Sequence, residues 1–348
     1  MTQRDMPQRD DTLKEDPRTT IREALGMGAG PVVMERIRRK FVRTRRDTTL
    51  AEAFTGLLAD LCERPDGPDE APREAGLLLV LGESGAGKTR SLKRMFASHP
   101  GLERLQGALL SLSAPSPCGV KELGVAVLEA TDYRMTRRNV AGPEIWSVVR
   151  RRLRALGILV LHIDEAQHAT QLRDVGEREK LRNTVKGLLV DPVHPVAIVL
   201  SGLPGIAPFV TADQQLSRRA TFLDVAPVTL QADRGVLRKT LEAFTRIAGL
   251  TMAAEETARL LPRLIHASDR RLGILLEEIH AGLRLALDAG ADELKVEHFA
   301  QAFADRTGNA PDWNPYRRAD YASVDAWRML ARHHLPLPAA ASTKGPAK

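Results

Sequence analysis

The chain has 348 residues, 43% of them hydrophobic and 27% charged, which fits a folded globular protein with a sizeable core plus one smaller domain. No apolar run approaches the roughly eighteen residues that would cross a bilayer, Met1–Asp16 lacks the apolar segment of a secretory signal, and Cys62 and Cys118 are isolated. These features exclude a membrane partner, a disulfide framework and a zinc site, and they fit a reducing cytoplasm. The net charge of +7 is compatible with a phosphate-backbone partner, and with only 4% aromatic residues, duplex contact fits better than base stacking on a single strand.

Residues 1–18 are charged and aperiodic and read as a disordered tail. Residues 19–72 read as a helical extension. From Pro31, Val32, Val33, Ile37, Phe41 and Val42 alternate with the basic residues of 36–46 as in a basic amphipathic helix. Leu50, Phe54, Leu57, Leu58 and Leu61 predict a second helix from Thr49. The Pro- and Gly-rich segment Arg64–Pro72 marks a loop. Residues 73–228 alternate apolar runs (77–81, 108–112, 158–163, 196–200 and a weaker 221–225) with helical patterns at 88–97, 121–131, 143–155 and 178–189. Runs of this kind are strands buried on both faces, so the expected class is α/β, a parallel sheet flanked by helices. Residues 229–307 hold only helical patterns (232–248, 255–266, 270–289 and 296–307) and read as a small all-helical lid. Residues 308–348 read as a tail with a short helical stretch to His334, then a disordered end around Pro336 and Pro338.

Gly82, Glu83, Ser84, Gly85, Ala86, Gly87, Lys88 and Thr89 match G-x-x-x-x-G-K-[ST] without departure, between a predicted strand and a predicted helix. Glycines at Gly82, Gly85 and Gly87 let backbone N–H groups approach phosphate oxygens, and the following helix directs its positive end at them. Lys88 is placed to reach β- and γ-phosphates, and Thr89 to offer a hydroxyl to Mg²⁺. The strand Ile158–Ile163 runs into Asp164 and Glu165. At the carboxyl edge of a parallel sheet these two face the phosphate loop, Asp164 toward the metal shell and Glu165 toward an attacking water. Together these residues predict ATP binding and Mg²⁺-dependent hydrolysis. His162, inside the strand, reads as a packed core histidine, and His168 as a loop or surface residue.

Three further positions match parts of an AAA+ ATPase. Ser201 ends the strand at 196–200 and fits a sensor of the γ-phosphate or attacking water. Arg218 and Arg219 precede the fifth strand, where AAA+ proteins carry an arginine that reaches a neighbour's nucleotide; the two are equivalent at this level. Arg271, with Arg270 as rival, opens a lid helix and fits a second sensor folded back on the γ-phosphate. The competing reading of each is a polar strand end, a solvated charge pair and a charged helix cap.

The order of basic helix, GESGAGKT, VLHIDEAQH, VLSGLPG, QLSRR and helical lid resembles the TniB/TnsC family of AAA+ transposition ATPases, related to phage MuB. The resemblance runs from about Ile37 to Tyr316; the form Asp164–His168 and the Asn314-Pro315-Tyr316 tail carry its finer detail, with Tyr where the family's ending has Phe. It implies ATP-dependent binding to double-stranded DNA without strong sequence preference. It also implies self-assembly into a ring or helical filament, recruitment of a DDE transposase, and disassembly on hydrolysis. In the family the DNA-contacting part lies between the phosphate loop and the acidic strand, where this chain offers Lys121, Arg134, Arg137, Arg138 and Arg150–Arg152. The basic stretch 36–46 has three readings: DNA contact, transposase docking or solvation. Two alternatives from other classes are an oligomeric signalling or defence ATPase that gates a protein without DNA, and a helicase loader. The short tail after the lid, without a large effector or repeat domain, speaks against the first of these, and the lack of a winged-helix pattern speaks against a replication initiator.

Overall fold

The computed structural model describes residues 30–62, 74–103, 107–135, 140–171, 174–308 and 311–330, with Thr19, Ile21 and Ala24 as isolated positions. The expected N-terminal tail, the loop at 64–72, the pair Arg137 and Arg138, and the end beyond Leu330 lie outside the described residues. The chain forms two compact units. One comprises Arg43–Val236 with Ala267–Leu276; the other comprises residues to Val42, Leu237–His266 and the chain from Glu277.

The larger unit is built on five parallel strands, β1 (Leu77–Leu81), β2 (Leu109–Ser113), β3 (Val160–Asp164), β4 (Ala197–Gly202) and β5 (Ala220–Asp224), in the order β2-β3-β4-β1-β5. β1, β3 and β4 are buried at every position, which is why their sequences are continuous apolar runs. β2 and β5 are the edges and carry polar or half-exposed residues. Helices α2 (Arg45–Cys62), α3 (Lys88–Ser98), α4 (Val120–Glu129), α5 (Gly142–Ala155) and α6 (Val175–Leu189) surround the sheet. α2 packs on β1, β4 and β5, while α3 and α6 each pack on β4, and α4 packs against α5 and α6. A parallel sheet ends all its strands at one edge, so the loops after β1, β3 and β4 meet there.

The basic stretch is not one helix. Helix α1 spans Gly30–Arg39, with Met34 and Ile37 buried. Residues 40–44 are not helical, and α2 starts afresh at Arg45. The cause is local: the Asp47 carboxylate reaches back to the Thr44 backbone N–H at 2.7 Å and its hydroxyl at 2.8 Å, as in one half of a capping box.

The helical unit holds most of α7 (Leu230–Ala248), α8 (Ala254–Ala267), the later part of α9 (Leu272–Asp288) and α10 (Val296–Thr307). Asn314-Pro315-Tyr316 is part of its core. Tyr316 is 1% exposed, with ring centroids 5.9 Å from Phe299 and 6.0 Å from Phe303, and Asn314 donates to the Ala300 carbonyl. The Tyr316 hydroxyl donates to Glu278, whose other oxygen lies 2.7 Å from Arg306. Burial outweighs both partners and pushes the Glu278 carboxyl up to about 7.

Candidate functional site

Gly82–Thr89 turns at the end of β1 and feeds α3. Gly85 and Gly87 adopt φ of +79° and +97°, which a side chain would resist, and a Cβ at Gly85 would sit 2.6 Å from Ile274. Lys88 is 9% exposed, and its ammonium donates to the carbonyls of Gly82 at 2.6 Å and Glu83 at 3.1 Å. Burial lowers its pKa, against the opposing charges of Glu165, Asp164 and Glu83. The lysine thus stands inside the loop it serves.

Because β4 lies between β3 and β1, Ser201 stands between the acidic strand and the phosphate-loop strand. Asp164 Oδ1 accepts from the Ser201 hydroxyl at 2.5 Å, and Oδ2 from the Thr89 hydroxyl at 2.7 Å. Burial alone would raise the Asp164 carboxyl. The bonds from Ser201, Thr89 and the Glu165 backbone N–H outweigh it, so the pKa is lowered and the group is ionised. Glu165 follows in a left-handed conformation at φ 54° and is exposed. Gln167 ties it down: the amide donates to Glu165 Oε2, and its oxygen accepts from the Leu203 backbone N–H at 3.2 Å, just past β4. His168 is half-buried, with Nδ1 3.2 Å from the Ala114 carbonyl.

Arg271 completes the cluster. It is 9% exposed and donates to the Ser84 carbonyl of the phosphate loop at 3.1 Å and to Asp269 at 2.5 Å, while the Gly273 N–H donates to the Gly85 carbonyl at 2.8 Å. Its rival Arg270 sits at φ 59° and turns toward the Val228 carbonyl. The structure therefore brings Gly82–Thr89, Asp164, Glu165, Ser201 and Arg271 to one place.

Beside the phosphate loop opens a largely apolar pocket of about 430 Å³, bordered by Leu50, Ala86, Val225, Pro227, Ala232 and Leu272. One wall is stapled by Arg46, whose Nη1 and Nη2 each lie 2.9 Å from an Asp233 oxygen and whose remaining donors reach the Ala226 and Pro227 carbonyls. Sequence reasoning missed this pocket, Arg46, Asp233 and Gln167. Only Gln167 left a sequence signal, as part of the motif that follows the acidic pair.

Arg218 and Arg219 are not in the cluster. The Arg219 carbonyl accepts from Leu77, and Leu77 is in register with Ala220, so the two arginines lie at the amino edge of the sheet, opposite their own phosphate loop. Arg219 forks onto Glu74 and also donates to the Gln215 carbonyl at 2.6 Å. Arg218 is exposed, and among the described residues no hydrogen bond or ion pair holds its side chain.

The remaining cations lie on α4, α5 and the segment between them. Lys121, Arg150 and Arg151 border one cleft of about 730 Å³, joined by Lys180, which the sequence reading had not singled out. Lys121 and Arg134 border a second cleft of about 860 Å³. Arg152 instead turns inward, donating to the Thr131 carbonyl at 2.8 Å and lying over the Tyr133 ring.

Among the described residues no cluster of three or more His, Cys, Asp and Glu could cage a metal. The Thr89 hydroxyl and Asp164 carboxylate form a sparse oxygen pair, the donor set that suits Mg²⁺, which keeps waters and takes phosphate oxygens as its other ligands.

The family described as bacterial TniB protein matches residues 38–228, more than half of the 348 residues. The chain belongs to the TniB family. It is an AAA+ ATPase, and it carries the parallel five-stranded sheet expected of that class. No curated protein matches the TniB-family chain in sequence. Solved structures share its fold. Cdc6p of Pyrobaculum aerophilum is similar at TM-score 0.57 and 14% identity, over 77% of this chain and 69% of that one. Drosophila ORC bound to DNA is similar at TM-score 0.54 and 14% identity, over 90% and 72%. The ORC1 protein of Aeropyrum pernix in complex with DNA is similar at TM-score 0.52 and 17% identity, over 76% and 65%. Among the described residues of the TniB-family chain no helix is long and apolar enough to cross a membrane.

Proposed function

We propose that this TniB-family ATPase is a transposition regulator. It assembles with ATP on double-stranded DNA without strong sequence preference, recruits a DDE transposase, and leaves when it hydrolyses the nucleotide. The observation that carries the reading is a phosphate-loop site and a cleft bordered by Lys121, Arg150, Arg151 and Lys180 built into one α/β unit of a TniB-family chain. Proteins of this fold in complex with DNA are among the structures it resembles.

In this reading the apolar pocket takes the base, and the backbone N–H groups of Gly82–Thr89 cradle the phosphates. Lys88 exchanges its carbonyl partners for β- and γ-phosphate oxygens. Thr89 and Asp164 would hold Mg²⁺, which would supply neutralisation of phosphate charge. Glu165, held by Gln167, orients and polarises the attacking water, with Arg271 at the γ-phosphate; Ser201, expected there from the sequence, is fully buried with its hydroxyl on Asp164 and acts through that carboxylate instead. Arg218 reaches the nucleotide of a neighbouring copy. What supports Arg218 over Arg219 is that Arg219 is already engaged by Glu74 and Gln215 of its own chain. Lys121, Arg150, Arg151 and Arg134 neutralise backbone phosphates, a contact that weakens with salt and carries little sequence information.

The test is duplex-DNA binding at moderate salt without nucleotide, with ADP and with a non-hydrolysable ATP analogue, alongside electron microscopy of the same samples. Binding and rings or filaments that require the ATP state support the reading. Assembly with no DNA binding in any nucleotide state refutes it and leaves a protein-gating ATPase. Lys88→Ala should abolish nucleotide binding, and a combined Lys121→Ala/Arg150→Ala/Arg151→Ala variant should keep nucleotide binding and lose DNA.

A further inference from the structure

His162 lies in the middle of β3 and is 2% exposed. Alternation along a strand puts it on the same face of the sheet as Asp164, two residues on. Register puts Ser111 of β2 opposite it on one side and Val199 of β4 on the other, so Ser201 comes next on that same face. Both ring nitrogens are engaged: Nδ1 lies 2.8 Å from the Ser111 hydroxyl, and Nε2 lies 2.9 Å from the Ser201 hydroxyl. An unbroken chain of hydrogen bonds therefore runs Ser111–His162–Ser201–Asp164–Thr89 across three strands into the phosphate loop.

Donor counting gives the chain a direction. An ionised carboxylate only accepts, so the single Ser201 proton goes to Asp164 Oδ1. The Ser201 oxygen is then left to accept, and the donor facing it is His162 Nε2–H. On the other side Nδ1 takes the Ser111 proton. The ring is fixed in place by Phe96, its centroid 5.1 Å away. A hydroxyl rotor at Ser201 with no such donor would be free to turn from Asp164 toward other acceptors.

We propose that His162 is a positioning residue: by donating Nε2–H to Ser201 it sets the direction of that hydroxyl, which holds Asp164 Oδ1 and keeps Oδ2 turned to Thr89. The proposal rests on the reading of Asp164 and Thr89 as the Mg²⁺ pair. Partners that orient a metal-binding group from behind change metal affinity when removed.

The experiment compares the full-length parent with His162→Leu, His162→Gln, Ser201→Ala and Asp164→Asn. Equilibrium binding of a fluorescent ATP analogue is titrated with Mg²⁺, and thermal midpoints are read in parallel. His162→Leu should raise the half-saturating Mg²⁺ concentration by about tenfold, with metal-free nucleotide affinity unchanged. His162→Gln, whose Nε2 reaches the same place, should restore most of it. His162→Leu/Ser201→Ala should be no worse than Ser201→Ala alone. A lowered midpoint with a parental Mg²⁺ requirement would make His162 a packing residue only and overturn the proposal, provided Ser201→Ala and Asp164→Asn do shift the requirement. If neither of those shifts it, the metal assignment fails instead. Should His162→Leu not fold, His162→Gln against His162→Asn decides, because Asn replaces only Nδ1; equal Mg²⁺ requirements in the two would overturn the proposal.

Discussion

Replacing Arg46 with Leu tests whether the wall of the apolar pocket beside the phosphate loop is held by a buried ion pair. The side chains of Arg46 and Asp233 are only 12% and 7% exposed, and the guanidinium grips both carboxylate oxygens at 2.9 Å. It also satisfies the carbonyls of Ala226 and Pro227. In Arg46→Leu, Asp233 keeps only the Thr229 N–H at 2.8 Å, and the two carbonyls lose this donor. Removing one partner of a buried pair typically costs about 3–5 kcal/mol, because the other charge stays behind. In a domain of this size each kcal/mol moves the thermal midpoint by about 2–4 °C, so a fall of roughly 10 °C is expected. The sign with pH follows from Asp233. Burial would raise its pKa, but the bonds from Arg46 and Thr229 hold it below the ordinary value. A depressed carboxylate contributes stability that is present above its unfolded pKa and lost as pH falls through the folded one. The gap between parent and Arg46→Leu should therefore be full at neutral pH and narrow on acidification. Arg46→Leu/Asp233→Leu should regain much of the loss, since no charge is left unpaired. Differential scanning fluorimetry from neutral to acidic pH, with and without ATP analogue, reads all of this. A midpoint within about 1 °C of the parent at neutral pH, or a double variant as unstable as the sum of the singles, would refute the reasoning.

Gln167→Ala should lower kcat by about tenfold with little change in ATP KM, since one charge-assisted hydrogen bond to Glu165 is worth about 1.5–3 kcal/mol and this one is partly solvated; steady-state kinetics with an unchanged kcat would remove Gln167 from the site. Arg218→Ala should bind ATP normally but lose about a thousandfold in assembled-state turnover, whereas Arg219→Ala should chiefly lower the thermal midpoint. Mixing Arg218→Ala with a Lys88→Ala chain should restore some activity if each supplies what the other lacks. Glu278→Gln reports on the helical unit. A carboxyl raised to about 7 contributes stability present below its unfolded pKa and lost as pH rises through 7. Denaturant melts should therefore show the variant gaining on the parent between about pH 5 and 8, by on the order of 1–3 kcal/mol. A pH-independent difference would show that the Arg306 pair keeps Glu278 ionised.

What could be read in the sequence follows how far apart the cooperating residues lie. β1, β3 and β4 were legible because strands buried on both faces are apolar along most of their length. The phosphate loop was legible because its eight positions are contiguous. Asp164 and Ser201 are 37 residues apart, yet each ends an apolar strand, so parallel register alone brings them together. Arg46 and Asp233 are 187 residues apart, and Arg46 sits in a basic run that reads as surface. Nothing local distinguishes it from Arg45 or Arg43. The same limit made Arg218 and Arg219 equivalent until Glu74 appeared beside one of them. Gln167 lies in a motif, but its partner is a backbone N–H 36 residues on, which leaves no trace in residue type. His162 falls between these cases. Its place two residues before Asp164 puts it on the same face of the sheet as that carboxylate. The core reading was right about burial and silent about hydrogen bonding, since only the serines across two strand pairs turn a packed ring into a donor aimed at the site. A polar residue inside an otherwise apolar catalytic strand needs partners for its buried nitrogens, and neighbouring strands in register are where they must be found.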